Sequence, residues 1–237
     1  MTNTTQHPDE LHGRSVGSLL NILRAGVLGG QDGIISTAGI VVGVAGASLD
    51  NTALLIAGLA GLVSGALSMA GGEYVSVSSQ RDTERALLEK ERWELETMPD
   101  EELAELAGLY EEKGLSADLA RQVAVQLHEN DALAAHAEIE LGIDPNEFTN
   151  PWHAAVSSAA SFAVGAALPL LAITLTPSDI RVYLTFVVVI LALIGTGLIS
   201  AHVGGAPKGR AVLRNVVVGV VTMAVTFAIG SIVGLWI

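Results

Sequence analysis

RAGVLGGQDGIISTAGIVVGVAGASLDNTALLIAGLAGLVSGALSMAGGEYVSVSSQ, residues 24–80, reads as two membrane-crossing helices folded back on each other through the turn Ser48-Leu49-Asp50-Asn51. From Ala25 to Leu49 the only charge is Asp32, and from Asn51 to Gln80 the only charge is Glu73. Each segment is long enough to cross a hydrocarbon core of about 30 Å. Counting back from the shared turn at about 1.5 Å per residue, Asp32 and Met69 fall at nearly the same depth, with Glu73 one helical turn nearer the opposite surface. Met69 and Glu73 are four apart and share a helix face. A carboxylate inside a membrane is costly and marks an ion or proton path. Asp32, Met69 and Glu73 are therefore expected to form a metal-sized site between two helices. Two hard oxygens and one thioether favour late first-row divalent ions over Mg²⁺ and Ca²⁺. Both carboxylates must be ionised to hold an ion, which gives a route to proton exchange.

The charge distribution separates this apolar sequence from the rest of the 237 residues. Residues 81–150 hold 19 of the 25 acids and 6 of the 12 bases, a net charge of −13, so everything outside them sums to zero. Acidity confined to one soluble insert argues against nucleic acid as a partner and for metal cations or basic partners. The absence of cysteine excludes disulfides and thiolate metal sites. Residues 1–14 are expected to form a disordered polar tail without a cleaved signal peptide, and residues 15–24 an amphipathic lead-in lying at the membrane surface. The expected organisation is then spans one and two to residue 80, the acidic insert at 81–150, and three further spans in 151–237.

Within the insert, a charged helix over 81–96 is expected to stop before Pro99. A second runs to about Gly114, and a third from the N-cap Ser116 to Leu141, ahead of Gly142 and Pro145. The later spans are expected at about Trp152–Leu175, interrupted by Pro169, then Val182–Ser200 and Val212–Ile237. The fold class is an all-α integral membrane protein, with five transmembrane helices and a three-helix cytoplasmic insert between spans two and three. Arg14, Arg24, Arg81, Arg85, Lys208, Arg210 and Arg214 flank one side and only Arg181 the other, which places the N-terminus and insert in the cytoplasm and Ile237 outside. Gly26, Gly29, Gly30, Gly33, Gly39, Gly43 and Gly46, with Gly61, Gly65, Gly71 and Gly72, are spaced for close helix contact, either within the chain or across a dimer.

The insert carries a second set of candidate ligands. Glu91 and Glu94 are three apart, as are Glu102 and Glu105, so each pair shares a helix face, and two such helices facing each other hold cations as carboxylate sites in helical bundles do. On the third helix, His136 and Glu140 are four apart with Glu138 two residues from each, adding an imidazole to the carboxylates. A module of this size has little core of its own, so bound metal or a partner copy is expected to contribute to its stability.

Leu28-Gly-Gly-Gln-Asp-Gly-Ile-Ile-Ser36, followed by Gly61-Leu-Val-Ser-Gly-Ala-Leu-Ser-Met-Ala-Gly-Gly-Glu-Tyr-Val-Ser-Val-Ser-Ser-Gln80, resembles the signature of the vacuolar iron transporter family. The order of two spans, acidic insert and three spans extends the resemblance to residues 18–237. It implies a homodimeric five-helix secondary transporter, not an enzyme, with no permanently bound cofactor. Such a protein moves Fe²⁺, and often Mn²⁺, out of the cytoplasm in exchange for protons. It further implies that Asp32, Met69 and Glu73 line the path and that Glu91, Glu94, Glu102 and Glu105 collect metal. Aligning Glu140-Leu-Gly-Ile with the family's similar ending puts His136 and Ala137 where plant members carry a Met pair. The composition suits a prokaryotic member, which would place it in the plasma membrane as an exporter. The alternatives are a membrane metal sensor without transport and a ferroxidase-like carboxylate site. The latter lacks the Glu-x-x-His motif such sites use.

Overall fold

The computed structural model describes residues 15–146 and 148–236, with side chains described from Gly26 onward; the expected tail at 1–14 lies outside the described residues. Among these residues all regular structure is helical: α1 (Ser15–Ala47), α2 (Asn51–Thr97), α3 (Pro99–Glu112), α4 (Ala117–His136) with a π-turn at Ala137–Leu141, α5 (Pro151–Leu175), α6 (Arg181–Val203) and α7 (Lys208–Val233). Parts of α1, α2, α5, α6 and α7 are long and apolar enough to cross a membrane. The lead-in at 15–24 is the first part of α1 and not a separate element. The chain divides into two compact units, one built from the residues up to Tyr74 and from Trp152 onward, the other from Val75–Pro151.

The first unit is arranged around α1. Ile34, Ala38, Val41, Val42 and Ala45 are buried with Leu54, Leu170, Ile173, Val189, Leu193 and Met223. Its glycines divide between two partners. A Cβ at Gly29 would stand 2.9 Å from the Ser158 carbonyl oxygen, and one at Gly33 would collide with the Phe162 carbonyl, so the first part of α1 lies backbone against backbone on α5. One at Gly46 would stand 2.5 Å from the Phe227 carbonyl oxygen, and one at Gly230 would collide with the Gly43 carbonyl, so the second part lies on α7. The small residues of the first span thus serve contacts within the chain. In a hydrocarbon solvent, where apolar side chains gain nothing by leaving lipid, such close packing is what holds helices together.

The α1–α2 turn is closed by polar groups. Asp50 Oδ2 accepts the Ala53 N–H at 2.7 Å, capping α2, and the Asp50 N–H donates to Ser48 Oγ at 3.2 Å. Arg181, buried at the start of α6, donates from its guanidinium to the Leu49 carbonyl at 3.1 Å and to Asn51 Oδ1 at 3.4 Å. On α2, Gly61 meets Ile40 and Gly65 meets the Phe162 ring, whereas Gly71 and Gly72 have no neighbour within 4 Å. Trp152, Tyr183 and Trp236 are exposed, as side chains at a membrane interface would be.

The second unit holds the C-terminal part of α2 with α3, α4 and the π-turn. Leu106, Ala107 and Ala124 are its buried apolar centre, flanked by Leu103, Tyr110, Leu127, Ala135 and Ile139. The helix expected from Ser116 to Leu141 is not continuous. Its backbone leaves helical geometry at Asp131 (φ −160°, ψ 93°), and its last residues widen into a π-turn ended by Gly142 at φ +65°.

Backbone contact at Gly33 predicts that Gly33→Ala destabilises the protein by about 1–3 kcal/mol through overpacking. Gly108→Ala, in open space on α3, should stabilise it by roughly 0.5–1 kcal/mol. Thermal denaturation of both variants in detergent checks the contrast in sign.

Candidate metal centre

Four elements of the second unit bring the centre together. The run before Pro99 keeps Glu91 on α2. Pro99 opens α3, so that Asp100, Glu101 and Glu102 occupy its first turn, where acids complement the helix dipole. The end of α4 supplies His136, and the π-turn supplies Glu140. Glu91, Glu102 and His136 are all buried, and each offers one ligand atom within 4.8 Å of the others.

His136 Nδ1 lies 2.9 Å from Glu91 Oε1, 3.6 Å from Glu102 Oε2 and 3.9 Å from Glu140 Oε2. The closest of these approaches lacks hydrogen-bond geometry: Glu91 Oε1 and both ring nitrogens of His136 are buried without a hydrogen-bond partner. Buried polar atoms are almost always paired. Ligand atoms about 2.1 Å from a common ion stand roughly 3.0–3.4 Å from one another when adjacent and about 4.2 Å when opposed. The three distances fall in or near this range, so the donor set fits a divalent first-row ion held by one imidazole and several carboxylates.

Electrostatics point the same way. Burial, then the charges of Glu140, Glu102, Glu94 and Glu105, push the Glu91 carboxyl up to about 7. Burial and neighbouring glutamates also raise Glu102 and Glu140. Burial, and then His128, lower His136, keeping the imidazole in its neutral, metal-binding form. A cation would relieve both the desolvation and the mutual repulsion of the acids.

The remaining candidates separate. Glu94 is half-buried and held by Lys90, which donates to both its carboxylate oxygens at 2.6 and 2.7 Å. Glu105 is exposed, within electrostatic range of Glu91, Glu102 and Glu140. Glu138 is exposed and outside the close group; its charge, after burial, raises the Tyr110 hydroxyl. In the first unit, Asp32 is exposed within the single chain, its backbone carbonyl accepting the Ser36 hydroxyl at 2.6 Å, and Met69 and Glu73 are half-buried. Among the described residues no hydrogen bond or ion pair joins Asp32, Met69 and Glu73 to one another. One residue the sequence reading passed over is His128, with Nδ1 buried and unpartnered and its ring 6.1 Å from that of His136. Eight residues apart, the two histidines would share a face of a straight helix but stand about 12 Å apart along it, so spacing alone would not have paired them.

The VIT family model matches residues 23–231, which run through both units. The chain belongs to the VIT family. It is 45% identical over 212 residues to a vacuolar iron transporter of Acanthamoeba castellanii, covering 88% of this chain and 77% of that protein. A vacuolar iron transporter homolog 1 of Oryza sativa subsp. japonica is 37% identical over 214 residues, 90% and 74% of the two chains. A vacuolar iron transporter homolog 2.1 of Arabidopsis thaliana is 32% identical over 213 residues, 90% and 81%. Membership of the VIT family makes this multi-pass membrane protein a transporter and not an enzyme.

A carboxyl whose folded pKa is raised favours folding while it is protonated. For Glu91 that contribution is complete below about pH 4.5 and is lost as pH rises through about 7. The lowered His136 acts in the opposite sense, but only below about pH 6.5, its unfolded value. Without divalent ions, amide protection in α3 and α4 is therefore expected to fall between pH 6.5 and pH 8. Hydrogen exchange of the full-length protein measures this, and added Mn²⁺ should restore protection most at pH 8.

Proposed function

We propose that the protein exports Fe²⁺, and Mn²⁺ with it, from the cytoplasm in exchange for protons. The observation that carries this reading is the buried, unpartnered His136 between Glu91 and Glu102. The relatives, a vacuolar iron transporter and its homologs, supply the metal. An imidazole among carboxylates favours late first-row divalent ions over Mg²⁺ and Ca²⁺.

In this mechanism residues 81–150 are a cytoplasmic collecting module, with Glu91, Glu102, His136 and Glu140 as ligands and Glu94, Glu105 and Glu138 as the surrounding negative field. The spans in 15–80 and 151–237 form the transport body, where Asp32, Met69 and Glu73 bind the ion in transit. Ligand carboxylates must release protons to take up metal, so loading on one side and protonation on the other drive exchange. A homodimer completes the path. The free side of α2 at Gly71 and Gly72, together with exposed Asp32, supports a second copy packing there. The charge asymmetry supports an N-terminus and insert in the cytoplasm and Ile237 outside. For a bacterial protein, the membrane in question is the plasma membrane.

Uptake of Fe²⁺ or Mn²⁺ into proteoliposomes under an imposed pH gradient tests this. Wild-type flux should follow the gradient, and Asp32→Ala should reduce it at least tenfold with metal binding by the insert intact. Glu102→Ala/Glu105→Ala should slow flux mainly at low metal concentration. A well-folded wild type that binds metal but carries none would replace transport with metal sensing.

A further inference from the structure

We infer that Asp131 is the positioning residue of the metal centre: by capping the helical segment after it, Asp131 breaks α4 and turns His136 and Glu140 toward Glu91 and Glu102. This rests on the metal-collecting role proposed above.

At about 100° per residue, a straight α4 with Ala124 facing α3 would bring Asp131 within about 20° of that buried direction. It would also carry Ala135 and Ile139 about 16.5 and 22.5 Å along the axis from Ala124. A straight helix would thus bury an acid against Leu106 and Ala107 and take the segment bearing His136 and Glu140 away from that apolar centre.

The observed backbone does the reverse. At Asp131 it leaves the helix, the side chain is exposed, and Asp131 Oδ1 accepts the Ala134 N–H at 3.0 Å. A bond from a side chain to the amide three residues on is the N-cap arrangement, and Asp is strong there and weak in a helix interior. Both segments stay anchored to the same apolar centre, Ala124 and Leu127 before the break, Ala135 and Ile139 after it. His136 consequently has no exposed surface, and its Nδ1 faces carboxylates from α2, α3 and the π-turn. The π-turn widens the last turn by one residue per hydrogen-bonded loop, and Glu140 Oε2 on it stands 3.9 Å from His136 Nδ1. Such turns recur at functional sites.

The test uses the full-length protein in detergent, loaded with Mn²⁺. Affinity is read by the loss of free-ion EPR signal, and imidazole ligation by ¹⁴N modulation in pulsed EPR, with His136→Ala as the reference for its absence. Asp131→Asn keeps the cap and should retain affinity and modulation. Asp131→Ala, which permits a straight helix, should bind about five- to thirtyfold more weakly, the range a lost cap supports, and should lose the modulation. Asp131→Leu, whose side chain suits the buried face of a straight helix, serves as a second loss variant if the alanine variant does not fold. Wild-type affinity and modulation in a folded loss variant would overturn the role of Asp131 while leaving the metal centre in place. No Mn²⁺ binding by wild type would overturn the proposed function and this inference with it.

Discussion

Backbone contact along α1 is the constraint on which the membrane unit depends. Gly29 and Gly33 set α1 against α5, and Gly43 and Gly46 set it against α7, so one helix is clamped on two sides by residues that contribute no side chain. Everything else in that unit is placed around the clamp. Val41 and Ile40 face the glycines of α2, and Arg181 ties the following turn to the start of α6. Asp32 lies one residue from Gly33, so the same contact that orders the helix fixes the carboxylate's height along it and leaves its side chain free of the packed interior.

The second unit is held on different terms. Its apolar centre is small, and a few buried ionisable groups stand close beside it. Three carboxyls raised by burial and mutual repulsion, around an imidazole lowered by burial, form a group whose desolvation and repulsion a cation would relieve. The Lys90–Glu94 pair compensates one acid, but its ammonium is on the exposed side and leaves Glu91 and Glu102 without a positive partner among the described residues. In the proposed metal centre, stability and metal affinity would thus be one quantity seen from two sides.

Much of this architecture was legible in the sequence. Charge-free runs marked the spans, Ser48-Leu49-Asp50-Asn51 marked the turn, and Pro99 marked the end of α2, because each acts through local chemistry. The candidate centre was legible only in outline. Spacing grouped Glu138 with Glu140, and the π-turn, a matter of backbone hydrogen bonding, sets Glu140 by His136 and Glu138 by Tyr110. The break at Asp131 left a weak trace, the cap-forming pair Asn130-Asp131 inside an otherwise helical run. Reading one helix from the Ser116 cap to the Gly142 stop passed over it, and apolar residues on both sides of the break pack with Leu106 and Ala107. Small-residue spacing announced close approach along α1 but carried no record of which helix would be approached. Partner choice is a tertiary matter that neither Gly33 nor Gly43 encodes alone.

The graded exposure of the centre sets an order of events. Glu91, Glu102 and His136 are withdrawn from water, while Glu140 retains 30% of its side-chain surface. In the proposed centre Glu140 would be the doorstep: an arriving ion would exchange its first water for a carboxylate oxygen there while the rest of its hydration shell remained. Dehydration would then proceed in stages, each offset by the next inner ligand, and departure would follow the same steps in reverse. The residence time of the ion would be governed at the rim, by how readily one half-exposed glutamate lets go.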